Sequence, residues 1–155
     1  MGRLVAAALG ARYVDLDELI EARTGKPVAK VFEEDGEAAF RALEADLGRA
    51  ALSGSPAVVA PGGGFFAGDV TRAMATGSGL VVYLETTPAE AAVRLGGAAG
   101  RPLVRGGPAE ARIAALLEAR APFYRKAECQ VETDGRSAEE VAAAVVLLAR
   151  DRAGW

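Results

Sequence analysis

Two short apolar runs constrain the fold of this 155-residue sequence more than any other feature. Ala57-Val58-Val59-Ala60 is closed by Pro61 and three glycines, and Leu80-Val81-Val82-Tyr83-Leu84 is followed by Thr87-Pro88-Ala89-Glu90. A continuous apolar run that ends at a turn is typical of a strand buried on both faces of a parallel sheet. Strands that alternate with helices predict an α/β fold, with helices covering both faces of that sheet.

Helical periodicity and capping signals supply the other elements. Thr87 with Glu90, and Ser137 with Glu140, have the spacing of capping boxes that open helices. The predicted helices span 3–9, 16–23, 28–36, 37–52, 88–95 and 109–126, with a last one after Ser137, and weaker strands are predicted at Tyr13-Val14 and 130–133. No linker or repeat divides the chain, so we expect one domain over residues 1–155.

Composition excludes several functional classes. Hydrophobic residues make up 51% of the chain and the net charge is -3, a globular balance without the basic surface that nucleic-acid binding needs. Cys129 is the one cysteine and histidine is absent, which excludes an internal disulfide and a His/Cys zinc site. No apolar stretch reaches the ~18 residues of a membrane span. We therefore expect a cytoplasmic monomer with no nucleic-acid or membrane partner.

Two carboxylates follow the first predicted strand. Asp15 and Asp17 lie where that strand ends and a helix begins. One interpretation is functional: a carboxylate can accept the proton of a substrate hydroxyl, and Mg²⁺ prefers oxygen ligands, including water held by a carboxylate. The alternative is structural: Asp15 caps the helix that begins at Leu16, and Glu18 completes a capping box.

Two arginines on different predicted helices could grip one carboxylate. Arg41 lies one helical turn before Glu44, and Arg120 lies two residues before Pro122. Seen alone, Arg41 with Glu44 is an ordinary surface ion pair and Arg120 is a solvated helix residue. Together, the two guanidinium groups can bind a substrate carboxylate bidentately, with Glu44 holding Arg41 in place.

Glycines dominate two further segments. Gly62, Gly63 and Gly64 are costly in chain entropy, so we expect them to serve a close backbone approach or a positive φ, as the floor and hydrogen-bond donors for a ring-shaped polar ligand. An ordinary flexible turn is the alternative. Residues 96–107 contain five glycines around Arg101 and Arg105, and we interpret them as a lid whose Arg101 reaches the transferring phosphate. A solubilising loop charge is the alternative for Arg101.

The sequence resembles the shikimate kinases in five motifs that occur in the family's order. They are Asp15-Leu16-Asp17, Phe40-Arg41-Ala42-Leu43-Glu44, Gly62-Gly63-Gly64, Arg101-Pro102-Leu103 and Arg120-Ala121-Pro122-Phe123-Tyr124. The resemblance implies a P-loop-kinase-like, three-layer α/β/α fold with a parallel sheet. It also implies phosphorylation of the 3-hydroxyl of shikimate by ATP with Mg²⁺, in chorismate and aromatic amino-acid biosynthesis.

The resemblance further implies roles for individual residues. Asp17 corresponds to the proposed base that also binds shikimate, and Asp15 to the magnesium-linked carboxylate. The implied substrate contacts are Arg41, Gly62, Gly63, Gly64 and Arg120; the implied catalytic lid residue is Arg101, which also contacts ATP; and the implied adenine contacts are Arg94 and Arg136. Pro61 and Phe65-Phe66 depart from the family pattern, which bears on the shape of the substrate floor.

The family's phosphate loop, G-x-x-x-x-G-K-[ST], does not occur in the sequence. We hypothesise that Met1 marks a misplaced translation start or the edge of an expressed fragment, so that the central first strand of the sheet is missing. We then expect an open sheet, reduced stability and little ATP affinity. Two alternatives to shikimate phosphorylation stay open: a non-catalytic shikimate-binding remnant, and a kinase of another polyol acid such as gluconate.

Overall fold

In the computed structural model of the chain, which describes residues 1–95 and 109–155, four short strands alternate with helices. The strands are β1 (Arg12–Asp15), β2 (Ala57–Ala60), β3 (Val82–Glu85) and β4 (Cys129–Glu132). The helices are α1 (Gly2–Leu9), α2 (Leu16–Thr24), α3 (Val28–Glu34), α4 (Gly36–Leu52), α5 (Asp69–Thr76), α6 (Pro88–Leu95), α7 (Ala109–Tyr124) and α8 (Ala138–Arg152), with a 3-10 turn at Phe65–Ala67. The predicted lid lies outside the described residues.

The strands pair in parallel, which confirms the α/β class. β1 pairs with β2 so that Asp15 lies opposite Ala60, and β3 pairs with β4 so that Glu85 lies opposite Glu132. Within the described part of the chain these are two separate pairs and not one continuous sheet. The carboxyl end of β1 therefore lies beside the carboxyl end of β2, where the three glycines begin.

Helices cover both faces of the β1–β2 pair. Alternate strand residues point to opposite faces, so neighbouring residues of β2 contact different helices. Val58 packs against a cluster that joins Val5 of α1 to Val146 of α8. On the other face, Val59 packs with Leu16 and Phe65. The residues of β2 are half-buried, whereas full burial was expected, since β2 pairs along only one edge in the described part.

A third cluster supports the start of α4. It is formed by Ile20 of α2, Val31 of α3 and Phe40 of α4, all buried. The ring of Phe40 lies 4.3 Å from that of Phe32, measured between centroids. These contacts hold the first turns of α4, and hence the backbone of Arg41, against the helix that follows β1.

The segment after the glycines was not predicted to be helical. Phe65 and Phe66 form the 3-10 turn and are both buried, and α5 follows directly. Phe65 fixes this segment to the core, because its ring packs against Val14 of β1. Gly48 makes room for the ring, since a Cβ at Gly48 would overlap it. The two aromatic residues that depart from the family pattern therefore belong to the core.

Several predicted boundaries needed correction; the helix predicted over 28–36, for example, ends at Glu34. The α7 helix ends at Tyr124 and not at Lys126, because the amides of Lys126 and Ala127 close three-residue turns onto Phe123 and Tyr124. The third strand was predicted at 80–84 but begins at Val82, since the amide of Val81 donates to the carboxylate of Glu128 at 2.9 Å. The fourth strand begins at Cys129, one residue before the prediction.

Of the two predicted capping boxes, the one that opens α8 is confirmed. Ser137 accepts from the amide of Glu140, and Glu140 accepts from the amide of Ser137 at 2.7 Å. The other is only half formed: Thr87 accepts from the amide of Glu90, but the Glu90 carboxylate pairs with Arg94 instead.

The amide of Thr87 donates to Asp134, which also accepts from the hydroxyl of Thr86 at 2.7 Å. Asp134 therefore ties the end of β3 to the loop after β4. None of the described helices is both long enough and apolar enough to span a bilayer.

We predict that this tie depends on pH. Hydrogen bonds from Thr87 and Thr86 hold the pKa of Asp134 below its usual range. The ionised carboxylate therefore stabilises the fold at pH values above the ordinary carboxyl pKa of about 4. This stabilisation is lost as the pH falls through the lower pKa of the folded state. Asp134→Asn should lower the urea midpoint at neutral pH, with a difference from the unaltered protein that shrinks towards about pH 2.

Asp151→Asn is the matched control. The Asp151 side chain is exposed, and its Oδ2 lies 3.7 Å from Nε of Arg152, which is too long for a strong hydrogen bond. It should leave the midpoint unchanged at every pH. An Asp134→Asn difference that stays constant with pH would show that the ionised carboxylate does not make this tie.

Candidate functional site

The end of β1 places two carboxylates at the start of α2. Oδ1 of Asp15 accepts from the amides of Asp17 and Glu18, at 3.0 and 3.4 Å, and Oδ2 accepts from the hydroxyl of Tyr13. Asp15 is therefore the N-cap of α2. Glu18 pairs with Arg3 and so does not complete the capping box. Asp17 lies in the first turn, where the helix dipole favours a negative charge.

A buried ion pair lies on α4. Nη1 of Arg41 donates to Oε2 of Glu44 at 2.7 Å, and Nη2 donates to Oε1 of Glu37 at 3.2 Å. The Glu44 side chain is 1% exposed, whereas Arg41 keeps 30% of its side chain exposed. The simple interpretation of Arg41 and Glu44 as a surface pair is therefore wrong: the carboxylate is in the interior and the guanidinium reaches the surface above it.

The environment of Glu44 resists its ionisation. Burial raises its pKa, the hydrogen bond and charge of Arg41 oppose that rise, and the negative charge of Asp17 adds to it. The charge of Arg120 also acts to lower the pKa. Among the described residues, Oε1 of Glu44 is buried without a hydrogen-bond partner. Two arginines and two carboxylates thus influence one another at this position.

The three glycines are where these groups meet. A Cβ added to Gly62 would lie 2.9 Å from Oε1 of Glu44 and 3.4 Å from Oδ1 of Asp17. One added to Gly63 would lie 3.3 Å from the hydroxyl of Tyr124 and 3.4 Å from Nη1 of Arg120. One added to Gly64 would overlap the guanidinium of Arg41.

Space, and not backbone conformation, explains the glycines. The positive-φ glycines of the described chain lie elsewhere, and Gly64 has a φ of -83°, which any residue adopts. Of the two reasons expected for a glycine run, close approach is therefore the one observed. The structure brings together Asp17, Arg41, Gly62, Gly63, Gly64 and Arg120, and it adds Glu44 and Tyr124.

Tyr124 was not predicted as a functional residue, although it lies four positions after Arg120. That spacing puts both side chains on the same face of α7. The hydroxyl of Tyr124 donates to the carbonyl oxygen of Gly63. The spacing to a predicted site arginine was the signal that could have identified it.

Two predicted adenine contacts lie around the loop that follows β4. Arg94 donates to the hydroxyl and the carbonyl oxygen of Thr133, at 2.8 and 2.7 Å. Arg136 donates to the carbonyl oxygens of Glu132 and Glu140, both at 3.1 Å. Both guanidinium groups therefore bind oxygens of the segment that runs from the carboxyl end of β4 to the first turn of α8. Arg101, the predicted lid residue, lies outside the described residues.

The residues near Asp15 suit a hydrated cation better than a bare one. Across residues 1–95 and 109–155, no three acidic or cysteine side chains cluster as metal ligands. Each oxygen of Asp15 already accepts a hydrogen bond, but a carboxylate oxygen has two lone pairs, so Asp15 can still accept from metal-bound water.

Known proteins are similar to this chain in sequence and in fold. The sequence model of the shikimate kinase family matches residues 1–149. The shikimate kinase of Thermobifida fusca (strain YX) is 46% identical over 143 residues, which cover 92% of this chain and 82% of that protein. That of Salinispora arenicola (strain CNS-205) is 40% identical over 149 residues, 96% of this chain and 88% of that protein.

A solved structure, the shikimate kinase from Acinetobacter baumannii in complex with shikimate, is similar to this chain with a TM-score of 0.93 and 31% identity. The similarity covers 97% of this chain and 86% of that one. The chain therefore belongs to the shikimate kinase family.

Proposed function

We propose that this protein transfers a phosphoryl group from ATP to the 3-hydroxyl of shikimate, a step in chorismate and aromatic amino-acid biosynthesis. The observation that carries the proposal is the convergence of Arg41, Arg120 and Asp17 on three glycines, which these side chains approach so closely that an added Cβ would crowd them. Membership of the shikimate kinase family supports both the acceptor and ATP as the donor.

The two arginines would bind the carboxylate of the ring. A guanidinium offers parallel N–H donors that match a carboxylate, so two of them provide both charge and orientation. Glu44 and Glu37 hold the Arg41 side chain on one side, which reduces the conformational entropy lost on binding. Gly62 to Gly64 would form the surface beneath the ring, and a side chain on any of them would crowd the residues proposed to hold the ligand.

Asp17 would act at the hydroxyl that reacts. As the substrate oxygen bonds to the γ-phosphorus, the bond from that phosphorus to the ADP oxygen breaks, and Asp17 accepts the hydroxyl proton. Asp17 lies beside Gly62, and the next two glycines of that turn lie beside Arg120 and Arg41. This arrangement supports the role of Asp17. ATP supplies the phosphoryl group; the described residues bind and orient its acceptor.

The remaining assignments belong to the same proposal. Arg101 would neutralise charge on the transferring phosphate, Arg94 and Arg136 would border the adenine, and Asp15 would hold Mg²⁺ through water. The contacts of Arg94 with Thr133, and of Arg136 with Glu132, support a preformed loop at the end of β4. We also propose that the protein acts as a cytoplasmic monomer.

A coupled kinase assay and calorimetric titration test the function. Because the phosphate loop does not occur in the sequence, the kinase assay uses a form extended by such a loop at its amino end, whereas calorimetry uses the chain itself. We expect the chain to bind shikimate, and the extended form to turn over shikimate, in preference to gluconate. Arg41→Ala or Arg120→Ala should each weaken shikimate binding about 10- to 100-fold, because each loses hydrogen bonds between charged groups that are worth about 1.5–3 kcal/mol. The matched control is Arg49→Ala on the same α4 helix, whose side chain is 59% exposed and pairs with Asp46. It should leave binding unchanged.

The possible results separate the alternatives. Shikimate binding without turnover by the extended form would support the non-catalytic binding protein, and a preference for gluconate would support the kinase of another polyol acid. Equal shikimate affinity in the unaltered protein and both arginine variants would contradict the clamp.

Gly64→Ala provides a second prediction. The added methyl group would displace the guanidinium of Arg41, while a φ of -83° accepts alanine without strain. Shikimate affinity should fall about tenfold. The free energy of unfolding should also fall, because the displaced guanidinium pairs less well with the buried Glu44 carboxylate.

Gly79→Ala is the control, since no heavy atom lies within 4 Å of the added Cβ. It should bind shikimate like the unaltered protein. Normal binding by Gly64→Ala would mean that Arg41 does not need its observed position.

A further inference from the structure

The proposed site lies between two halves of the described chain. Asp17, Arg41 and the glycines belong to the half built on β1 and β2, whereas Arg120 belongs to α7, which contacts α6 and Tyr83 of the β3–β4 half. Arg41 and Arg120 come from different halves, so they can bind one carboxylate only if the distance between their guanidinium groups is fixed. Helix α8 joins the halves through α1 and β4, and the contacts between α7 and the glycine turn join them beside the clamp itself.

Tyr124 makes the polar contact at this junction. Its hydroxyl donates to the carbonyl oxygen of Gly63, and its ring lies 5.1 Å from that of Tyr83 on β3, between centroids. The hydroxyl and Nη1 of Arg120 flank the same glycine, 3.3 and 3.4 Å from the position of an added Cβ at Gly63. Tyr124 thus touches both halves, and it does so beside the arginine that the clamp needs.

The contact also orients a backbone donor. The described chain has no cis peptide, and in a trans peptide the C=O and the next N–H point in opposite directions. Because the oxygen of Gly63 faces Tyr124, the N–H of Gly64 points to the other side of the turn. That N–H makes none of the backbone hydrogen bonds of the turn. In these, the amide of Phe65 donates to the carbonyl oxygen of Gly62 and the amide of Ala67 to that of Gly64.

A neighbouring contact strengthens the junction without reaching the site. The guanidinium of Arg72, on α5, lies 5.2 Å from the centre of the Phe123 ring. This contact joins the same turn of α7 to the β1–β2 half. Loss of the Tyr124 hydroxyl alone should therefore leave the junction folded and remove only the bond to the carbonyl oxygen of Gly63.

We propose that Tyr124 is a positioning residue for the acceptor substrate: its bond to Gly63 sets where Arg120 and the Gly64 N–H stand relative to Arg41. The proposal rests on the proposed function, since it concerns the same site. Tyr124 need not touch the substrate. Its effect should fall on shikimate and not on ATP, because it orients only groups of the acceptor site.

Tyr124→Phe tests this, as it keeps the stacked ring and removes one hydroxyl. The Kd of shikimate by calorimetry, and its KM in the kinase assay, should rise about three- to tenfold, the loss expected for one neutral hydrogen bond. The kcat and the KM for ATP should change less than about twofold. Tyr83→Phe makes the same chemical change in the stacked neighbour, which lacks the bond to Gly63, and should bind shikimate normally.

A double-mutant cycle separates positioning from general loosening. If Tyr124 acts through Arg120, Tyr124→Phe added to Arg120→Lys should weaken shikimate binding by less than the product of the two single effects. Unchanged affinity in Tyr124→Phe, an equal loss in Tyr83→Phe, or fully independent effects in the cycle would overturn the proposal while leaving the function intact. If the unaltered protein binds no shikimate, both proposals fall together.

Discussion

The buried ion pair between Glu44 and Arg41 is the interaction on which the rest of the site depends. A carboxylate that is 1% exposed is costly to bury unless it is paired, and Arg41 supplies that pairing at 2.7 Å. The pair fixes where the guanidinium emerges, and Gly64 must then lack a side chain to admit it. The ion pair thus accounts for one glycine of the run, and the carboxylates of Glu44 and Asp17 account for another.

This arrangement also explains why the site lies where it does. In parallel α/β folds, ligands bind beyond the carboxyl ends of the strands, and β1 and β2 end together at Asp15 and Ala60. Helix α2 starts there with Asp17 in its first turn, and the glycine turn starts there as well. The α4 helix, held by Phe40 and Val31, brings Arg41 from the side. Among the described residues of the shikimate clamp and its surroundings, Arg120 and Tyr124 come from the other half of the chain.

Local patterns were enough to predict the elements that sequence signals mark strongly. Strand β2, helix α6 and the capping box of Ser137 follow from apolar runs and capping residues, and they occur at the predicted positions. The α5 helix was missed because its position depends on Phe65 reaching a pocket left by Gly48, a contact between distant parts of the chain. The burial of Glu44 was missed for the same reason: spacing along α4 does not show which residues of another element it meets. The spacing along α7 places Tyr124 near Arg120, but it does not show the bond from Tyr124 to Gly63.

A crystal structure of this protein with shikimate tests the central claim most directly. We predict that the carboxylate of the ring lies within hydrogen-bond distance of the guanidinium groups of both Arg41 and Arg120, with the ring against Gly62 to Gly64 and a hydroxyl at Asp17. A shikimate molecule bound with its carboxylate away from both arginines would contradict the account, even if the fold matched in every other respect.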